Sequence, residues 1–228
     1  MKIRYGTLAG AMSGSLGNMT ASRGRGGPYF RMRTMPTKVV SQWTTQVRNI
    51  MATCSRAWAL LDTEEQASWN TWAQTHPITD TLGDKRTLFG AQAYTQLNSR
   101  ILLAGDAAIE IPPITAAPAA LTAWSAAPAD GAGTCVVTFL PTPLAATERL
   151  WVRAALVTNP GVNYYANLLK TVYIGALTTA SLVDIEVELQ ERFGVMIEGQ
   201  ILHTQAQIYE STSGMLSGAI YHRIAVAA

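Results

Sequence analysis

The stretch TKVVSQWTTQVRNIMATCSRAWALL, residues 37–61, decides the first part of the fold. Its large apolar residues recur every three or four positions, which is the period of one face of an α-helix. Pro36 stands directly before the stretch, where a missing backbone N–H costs a helix nothing. The pattern therefore predicts a helix with this apolar face: Val39, Trp43, Val47, Ile50, Cys54, Trp58 and Leu61.

A second helix is predicted over residues 63–75. Thr63 and Gln66 have the spacing of a capping box, and Pro77 ends the segment. Four tryptophans lie on the first two helices, and aromatic residues at helical spacing indicate a core more often than a ligand site. They are Trp43, Trp58, Trp69 and Trp72.

A hairpin and a third helix complete this helical unit. Residues 78–88 hold two short alternating runs around Leu82-Gly83-Asp84, which predicts a β-hairpin. The helix is predicted from Gly90, because apolar residues recur there at every fourth position, and Gly105 is its C-terminal stop.

After Gly105 the period changes from that of a helix to that of a strand. Residues 106–120, DAAIEIPPITAAPAA, predict a Pro/Ala linker. Residues 183–190, VDIEVELQ, alternate strictly and predict a strand with Val183, Ile185, Val187 and Leu189 inside. Six further segments have strand character: 121–127, 134–140, 149–158, 164–175, 200–209 and 216–226. About seven strands predict an immunoglobulin-like or fibronectin-type sandwich.

Residues 1–36 are predicted to form an extended arm. Seven glycines interrupt any helix, and the few apolar residues are too scattered to build a core. The chain is therefore predicted to be an α+β protein of several modules. These are a basic arm (1–36), a helical anchoring unit with a hairpin (37–105), a linker (106–120) and a C-terminal all-β sandwich (121–228).

Charge is sparse and unevenly distributed along the 228 residues. Only 14% of the residues are charged, and such a low content indicates a surface that faces other subunits. Residues 1–105 carry a net charge of +7 and residues 106–228 a net charge of −5, and the first 38 residues hold no carboxylate. No apolar run is long enough to predict a membrane span.

The sequence offers no catalytic constellation, and we predict neither an enzyme nor a cofactor. Cys54 and Cys135 are expected to be buried thiols. His203 and His222 lie on neighbouring predicted strands and could face each other, but no cysteine or carboxylate stands beside them at the spacing of metal ligands. No metal site is therefore predicted.

The candidate partner-binding residues lie in the arm. They are Arg23, Arg25, Tyr29, Phe30, Arg31 and Arg33. Arginines interleaved with aromatic residues can bind carboxylates and carbonyls of neighbouring subunits, which is the interpretation we favour. The same composition can also bind single-stranded nucleic acid or belong to a solvated tail.

Three strings give this sequence a more specific likeness: SGSLGNMTASRGRGGPYFRMRTMP, LDTEEQASWNTWA and PITDTLGDKRTLFGAQAYTQLNSRILLAG. Together, over residues 13–105, they resemble a family of small proteins encoded in the structural regions of bacteriophages and prophages. The resemblance implies a virion component and no activity, and it leaves the predicted sandwich uncovered. The matching positions are Arg25, Gly26, Gly27, Tyr29, Arg31, Pro36, Thr63, Gln66, Trp69, Leu82, Gly83, Leu88, Gly90 and Tyr94.

The favoured hypothesis is a non-enzymatic structural protein of a tailed phage virion, as capsid decoration or as a head–tail or tail accessory. Its expected partners are a major capsid protein, a connector or tail protein, and copies of itself. One alternative is a host-surface adhesion module that binds carbohydrate through Asn163, Tyr164 and Tyr165. The third is nucleic-acid binding through the arm.

Overall fold

A computed structural model of the chain describes most of its residues. They are 14–24, 27–33, 41–79, 84–129, 133–159, 161–162, 164–175 and 182–227. The chain divides into two compact units, Met1–Thr45 and Gln46–Ala228. Several sequence positions singled out above fall outside the described residues: Arg25, Gly26, Pro36, Val39, Leu82, Gly83 and Asn163.

The N-terminal unit contains a three-stranded antiparallel sheet where the sequence predicted an extended arm. Its strands are β1 (Gly14–Leu16), β2 (Met19–Gly24) and β3 (Gly27–Met32), in the order β1-β2-β3. Leu16 faces Met19 across a two-residue turn, and Gly17 takes a φ of +57° that suits the first position of such a turn. The Gly-Asn pair between two alternating runs is a hairpin signal that the composition argument overlooked.

The helical predictions are confirmed. Helix α1 spans Gln42–Leu60, α2 spans Thr63–Thr75 and α3 spans Gly90–Leu103. The predicted hairpin is present as β4 (Ile78–Thr79) and β5 (Lys85–Arg86), which pair antiparallel.

The capping box of α2 begins one residue earlier than predicted. The backbone N–H of Asp62 donates to Glu65 Oε2 at 2.9 Å, so these two residues cap the N-terminus of α2. The Gln66 side chain points back to α1 instead, where its Nε2 donates to the carbonyls of Trp58 and Leu61.

An aromatic cluster forms the core of the helical region. Trp69 is fully buried and meets Trp72 and Tyr94 edge-on, with ring centroids 5.9 and 5.3 Å away. The approach of α3 to α2 requires Gly90, because a Cβ there would lie 2.5 Å from Asn70 Oδ1 and 2.8 Å from its backbone nitrogen. The buried members of the cluster are Cys54, Trp69, Ala73, Ala93, Tyr94, Leu97 and Met215.

The predicted linker is bound to the helices along part of its length. Trp69 Nε1 donates to the carbonyl of Glu110, and Trp72 Nε1 donates to that of Pro113. The buried Asn98 side chain exchanges two hydrogen bonds with the backbone of Ile109. Residues 109–113 are therefore part of the fold and not a free connector, because their carbonyls satisfy indole donors that burial would otherwise leave unpaired.

Two antiparallel sheets and one helix make up the C-terminal part. The elements are β6 (Ala123–Pro128), β7 (Cys135–Leu140), β8 (Glu148–Val157), β9 (Lys170–Ile174), β10 (Val183–Asp184), α4 (Glu186–Phe193), β11 (Ile201–Glu210) and β12 (Ile220–Ala225). One sheet has the order β10-β7-β6 and the other the order β12-β11-β8-β9. Their inward residues and α4 form one hydrophobic cluster, which includes Val137, Val152, Leu189 and Leu202.

The predicted strand over 183–190 is wrong beyond Asp184. The chain turns into α4 there, because Asp184 Oδ1 accepts the backbone N–H of Glu186 and two glutamates occupy the first helical turn. Ile185 and Leu189 are buried one turn apart, whereas Val187 is exposed and Glu186 is buried. Residues four positions apart lie on the same face in both a strand and a helix. Burial of Ile185 and Leu189 therefore fits either structure.

The helices and the C-terminal sheets belong to the same compact unit. Ile101 of α3 packs with Trp151 and Tyr209, which lie on the face of the larger sheet away from the main cluster. Asp106 joins the same region, since it forms a salt bridge with Arg149 and accepts the hydroxyl of Tyr209. Asp106, at the start of the predicted linker, therefore contacts the larger sheet.

Candidate partner-binding surface

One face of the N-terminal sheet is polar and carries three of the candidate residues. Tyr29 stands opposite Ser22, and Arg31 stands opposite Thr20, so strand alternation places both on one face. Arg33 continues the alternation, and its backbone N–H donates to the carbonyl of Asn18 at 2.7 Å. Arg31 and Arg33 are both exposed, which leaves their guanidinium groups accessible to a partner.

The other face of the sheet is apolar. Met19 is paired with Met32, and Ala21 is paired with Phe30, so these four residues share the side away from Arg31 and Arg33. Ala21 is buried and Phe30 is half-buried, but Met32 is 74% exposed and Met19 is 47% exposed. Exposed methionines on a flat sheet offer an adaptable apolar surface for contact with another protein.

The candidate residues predicted from the sequence as one group therefore lie on different faces of the sheet. Tyr29, Arg31 and Arg33 lie together, whereas Phe30 belongs to the apolar face. Arg23 lies in β2 opposite Pro28, and Arg25 lies outside the described residues. Single-stranded nucleic acid needs successive bases to stack on one surface, and the division of Tyr29 and Phe30 between two faces does not favour it.

Sequence reasoning missed the two methionines at the end of the sheet. The arm prediction counts Met19 among the scattered apolar residues and gives Met32 no role. Period-two alternation over Met19-Thr20-Ala21 and over Phe30-Arg31-Met32 was the signal that places them on one face.

The two histidines do not face each other. In the register of β11 and β12, His203 stands opposite Arg223, and His222 stands opposite Thr204. An offset of one residue puts the two rings on opposite faces of the sheet. Within the described ranges, no group of three His, Cys, Asp or Glu residues has the arrangement of a metal site.

His203 is buried beneath Tyr165. The two rings stack with centroids 3.9 Å apart, and His203 is only 1% exposed. Neither ring nitrogen of His203 has a hydrogen-bond partner in the described part of the chain. Burial and the nearby Arg223 lower the pKa of His203. Tyr165 therefore serves as packing, and only Tyr164 of the proposed carbohydrate-binding pair is well exposed.

The thiols are buried and free, as the sequence predicted. Burial, with smaller contributions from Glu186 and Asp184, raises the pKa of Cys135 to about 12. Burial also raises the pKa of Cys54. Because the thiolate is the nucleophilic form, neither cysteine is suited to covalent catalysis at neutral pH.

Among the described helices, none is both long and apolar enough to cross a membrane. Comparison of the chain with protein-family models and with curated proteins found no match.

Proposed function

We propose that the protein is a non-enzymatic structural component of a tailed bacteriophage virion, held in the particle by its N-terminal sheet and helices. The observation that carries the proposal is the two-faced N-terminal sheet, with exposed arginines on one side and exposed methionines on the other. A small sheet of this kind gains stability when another protein covers its apolar face.

The sheet also offers hydrogen bonds along its edges. In the described part of the chain, β3 pairs only with β2, and β1 pairs only with β2. An open edge strand can add a strand from a neighbouring protein, with main-chain hydrogen bonds supplying affinity. Arg31 and Arg33 can form forked hydrogen bonds with carboxylates on that neighbour. The expected partner surface is therefore acidic beside an apolar patch.

The C-terminal sheets support an immunoglobulin- or fibronectin-like sandwich as the projecting module. Taken in chain order, β6, β7, β8, β9, β10, β11 and β12 correspond to strands A, B, C, C′, E, F and G of such folds. The observed orders then become E-B-A and G-F-C-C′, with the two central strands of the larger sheet paired over ten residues. A short helix, α4, occupies the connection between strands E and F.

The position within the virion is part of the proposal. A compact sheet module behind a basic anchoring region suits a protein that decorates the capsid, and a head–tail or tail accessory is the second placement. Both placements require contact with other virion proteins, and both allow contact with further copies of the chain. We favour decoration by fold-level analogy, because appended sandwich modules are displayed on many phage surfaces.

Incorporation into particles tests the proposal. The double variant Arg31→Glu/Arg33→Glu, supplied to a phage that lacks its own copy, should fold normally and be depleted from purified particles by about tenfold or more, since like charges now meet the acidic partner. Lys85→Glu/Arg86→Glu is the matched control, because it also reverses two exposed positive charges on a strand but lies outside the N-terminal sheet. Normal occupancy of the double variant would contradict the anchoring role.

A further inference from the structure

The first half of α1 exposes an apolar face. Of the 19 residues of α1, only Cys54 is buried. Met51 and Val47 continue the same stripe toward the N-terminus of the helix, and they are 48% and 53% exposed. A stripe that is covered at one end and bare at the other is typical of a surface that another chain covers.

A groove of about 490 Å³ lies beside this stripe, between Met51 of α1 and one face of α3. Its surface is mostly apolar, and its polar groups are uncharged amides and hydroxyls. We call it the α1–α3 groove. The residues that line it are Met51, Ala91, Gln92, Thr95, Gln96 and Ser99.

The charges on the two helices that line the α1–α3 groove have one sign. Neither α1 nor α3 contains an aspartate or glutamate. Arg48 is exposed and lies three residues before Met51, about 60° around the helix, so it is the charged residue of α1 nearest to Met51 around the helix. Arg56 is also exposed but lies about 140° from Met51, on another side of α1. An occupant that combines apolar side chains with a carboxylate suits such a groove.

The chain itself carries a surface with these properties. Val187 on α4 is 67% exposed, and Glu191 lies exposed one helical turn later on the same side. Val195 and Ile197 in the following loop are more exposed than buried, and Glu198 beside them is exposed. We call these five residues the α4 patch.

We propose that the α4 patch of one copy docks in the α1–α3 groove of another copy, so that the chains associate head to tail. The inference rests on the proposed function, which requires many copies in one particle. Both surfaces occur on every chain and differ from each other, so the contact is heterologous and generates a ring or a filament. Residues 106–228, which contain the α4 patch, carry a net charge of −5, whereas the charged residues of α1 and α3 are all arginines, so these charges favour the same orientation.

Sedimentation velocity of the purified full-length protein tests this contact over a wide range of protein concentration. The wild type should self-associate, and more weakly as salt is added. Arg48→Glu and Glu191→Arg should each weaken association by about tenfold, because each places like charges across the contact. The combined Arg48→Glu/Glu191→Arg chain should recover most of the lost association, since the pair is restored with its signs exchanged.

Arg56→Glu is the matched control, because it makes the same charge change on another side of α1. A wild type that stays monomeric at all concentrations would overturn the proposal and assign the groove to a different protein. Loss of association in Arg56→Glu equal to that in Arg48→Glu, or no recovery in the combined chain, would also overturn it. Failure of the proposed function is distinguishable, because it is read from particle occupancy of the N-terminal variants and not from association in solution.

Discussion

The indole N–H of Trp69 donates to the carbonyl of Glu110 at 2.6 Å, across 41 residues of sequence. This bond fixes the segment that leaves α3 against the centre of α2. The segment then leads into the first strand of the C-terminal sheets, so the helices and the sheets are tied together at a defined place. Trp69, which the sequence predicts as a core residue of the helices, thus also binds the predicted linker.

Trp69→Ala should reduce the free energy of unfolding by about 3–5 kcal/mol, because it removes a fully buried aromatic ring and leaves the Glu110 carbonyl without its donor. Trp58→Ala should cost less, since Trp58 is only half-buried, although it packs against Tyr94. Urea unfolding of the two variants measures the difference. Equal and negligible losses would show that both tryptophans lie on the surface.

The turn after β11 makes a steric contact with α3 that a pair of glycine variants can test. Gly214 has a φ of +71°, and a Cβ there would lie 2.8 Å from the carbonyl oxygen of Leu97. Gly199 has a similar φ of +82° but open space around it. Gly199→Ala should cost about 1–2 kcal/mol from backbone strain alone, and Gly214→Ala should cost clearly more. Similar losses in thermal unfolding would mean that α3 does not pack on this turn.

Helix α4 can be distinguished from the predicted strand by two aspartate substitutions. Ile185→Asp should reduce stability by about 4 kcal/mol or more, because it buries an unpaired charge. Val187→Asp should change stability by no more than about 0.5 kcal/mol, since Val187 is exposed and an acidic residue suits the first turn of a helix. In a strand both side chains would point inward, and both variants would then unfold.

The period of the apolar residues predicted most of the helices and strands. The stripe through Cys54 and Trp58 placed α1, and turn residues separated the strands that became β6 to β12. The prediction failed in two regions for different reasons. At residues 14–32 the glycines indicate an extended arm by composition, although Gly17 lies in the turn between β1 and β2. At Ile185 and Leu189 the helical and strand periods coincide, and the hydrogen bond from the Glu186 N–H to Asp184 Oδ1 favours the helix.

The candidate site was predicted only in part. Arg31, Arg33 and Tyr29 share a surface, but the alternation that separates them from Phe30 becomes meaningful only when the segment is recognised as a sheet. The contacts of Glu110 and Pro113 could not be predicted, because a backbone carbonyl carries no sequence signal for its donor. Tertiary pairing of this kind depends on the packed structure and not on local pattern.

His203 should make the protein less stable in mild acid. Its pKa is lowered in the folded state by burial and by Arg223, so the unfolded chain takes up the proton first as the pH falls below about 6.5. Stability should therefore decrease from about pH 6.5 downward and level off below the folded pKa. His203→Phe keeps an aromatic ring stacked on Tyr165 and removes the titrating group. Between about pH 7.5 and about pH 5 this variant should therefore lose less free energy of unfolding than the wild type. Identical pH profiles of unfolding would exclude this role.

Removal of residues 1–35 should leave a folded protein, because the unit Gln46–Ala228 contains its own hydrophobic clusters and α1 begins only at Gln42. The truncated chain should unfold within about 0.5 kcal/mol of the full-length protein and should retain concentration-dependent association, since Met51 and the α4 patch are intact. It should nevertheless be missing from particles, because the N-terminal sheet is gone. Calorimetry, sedimentation and particle composition check the three outcomes separately. A truncated chain that unfolds would make the N-terminal unit part of the core, and one that enters particles at normal occupancy would remove the sheet from the anchoring surface.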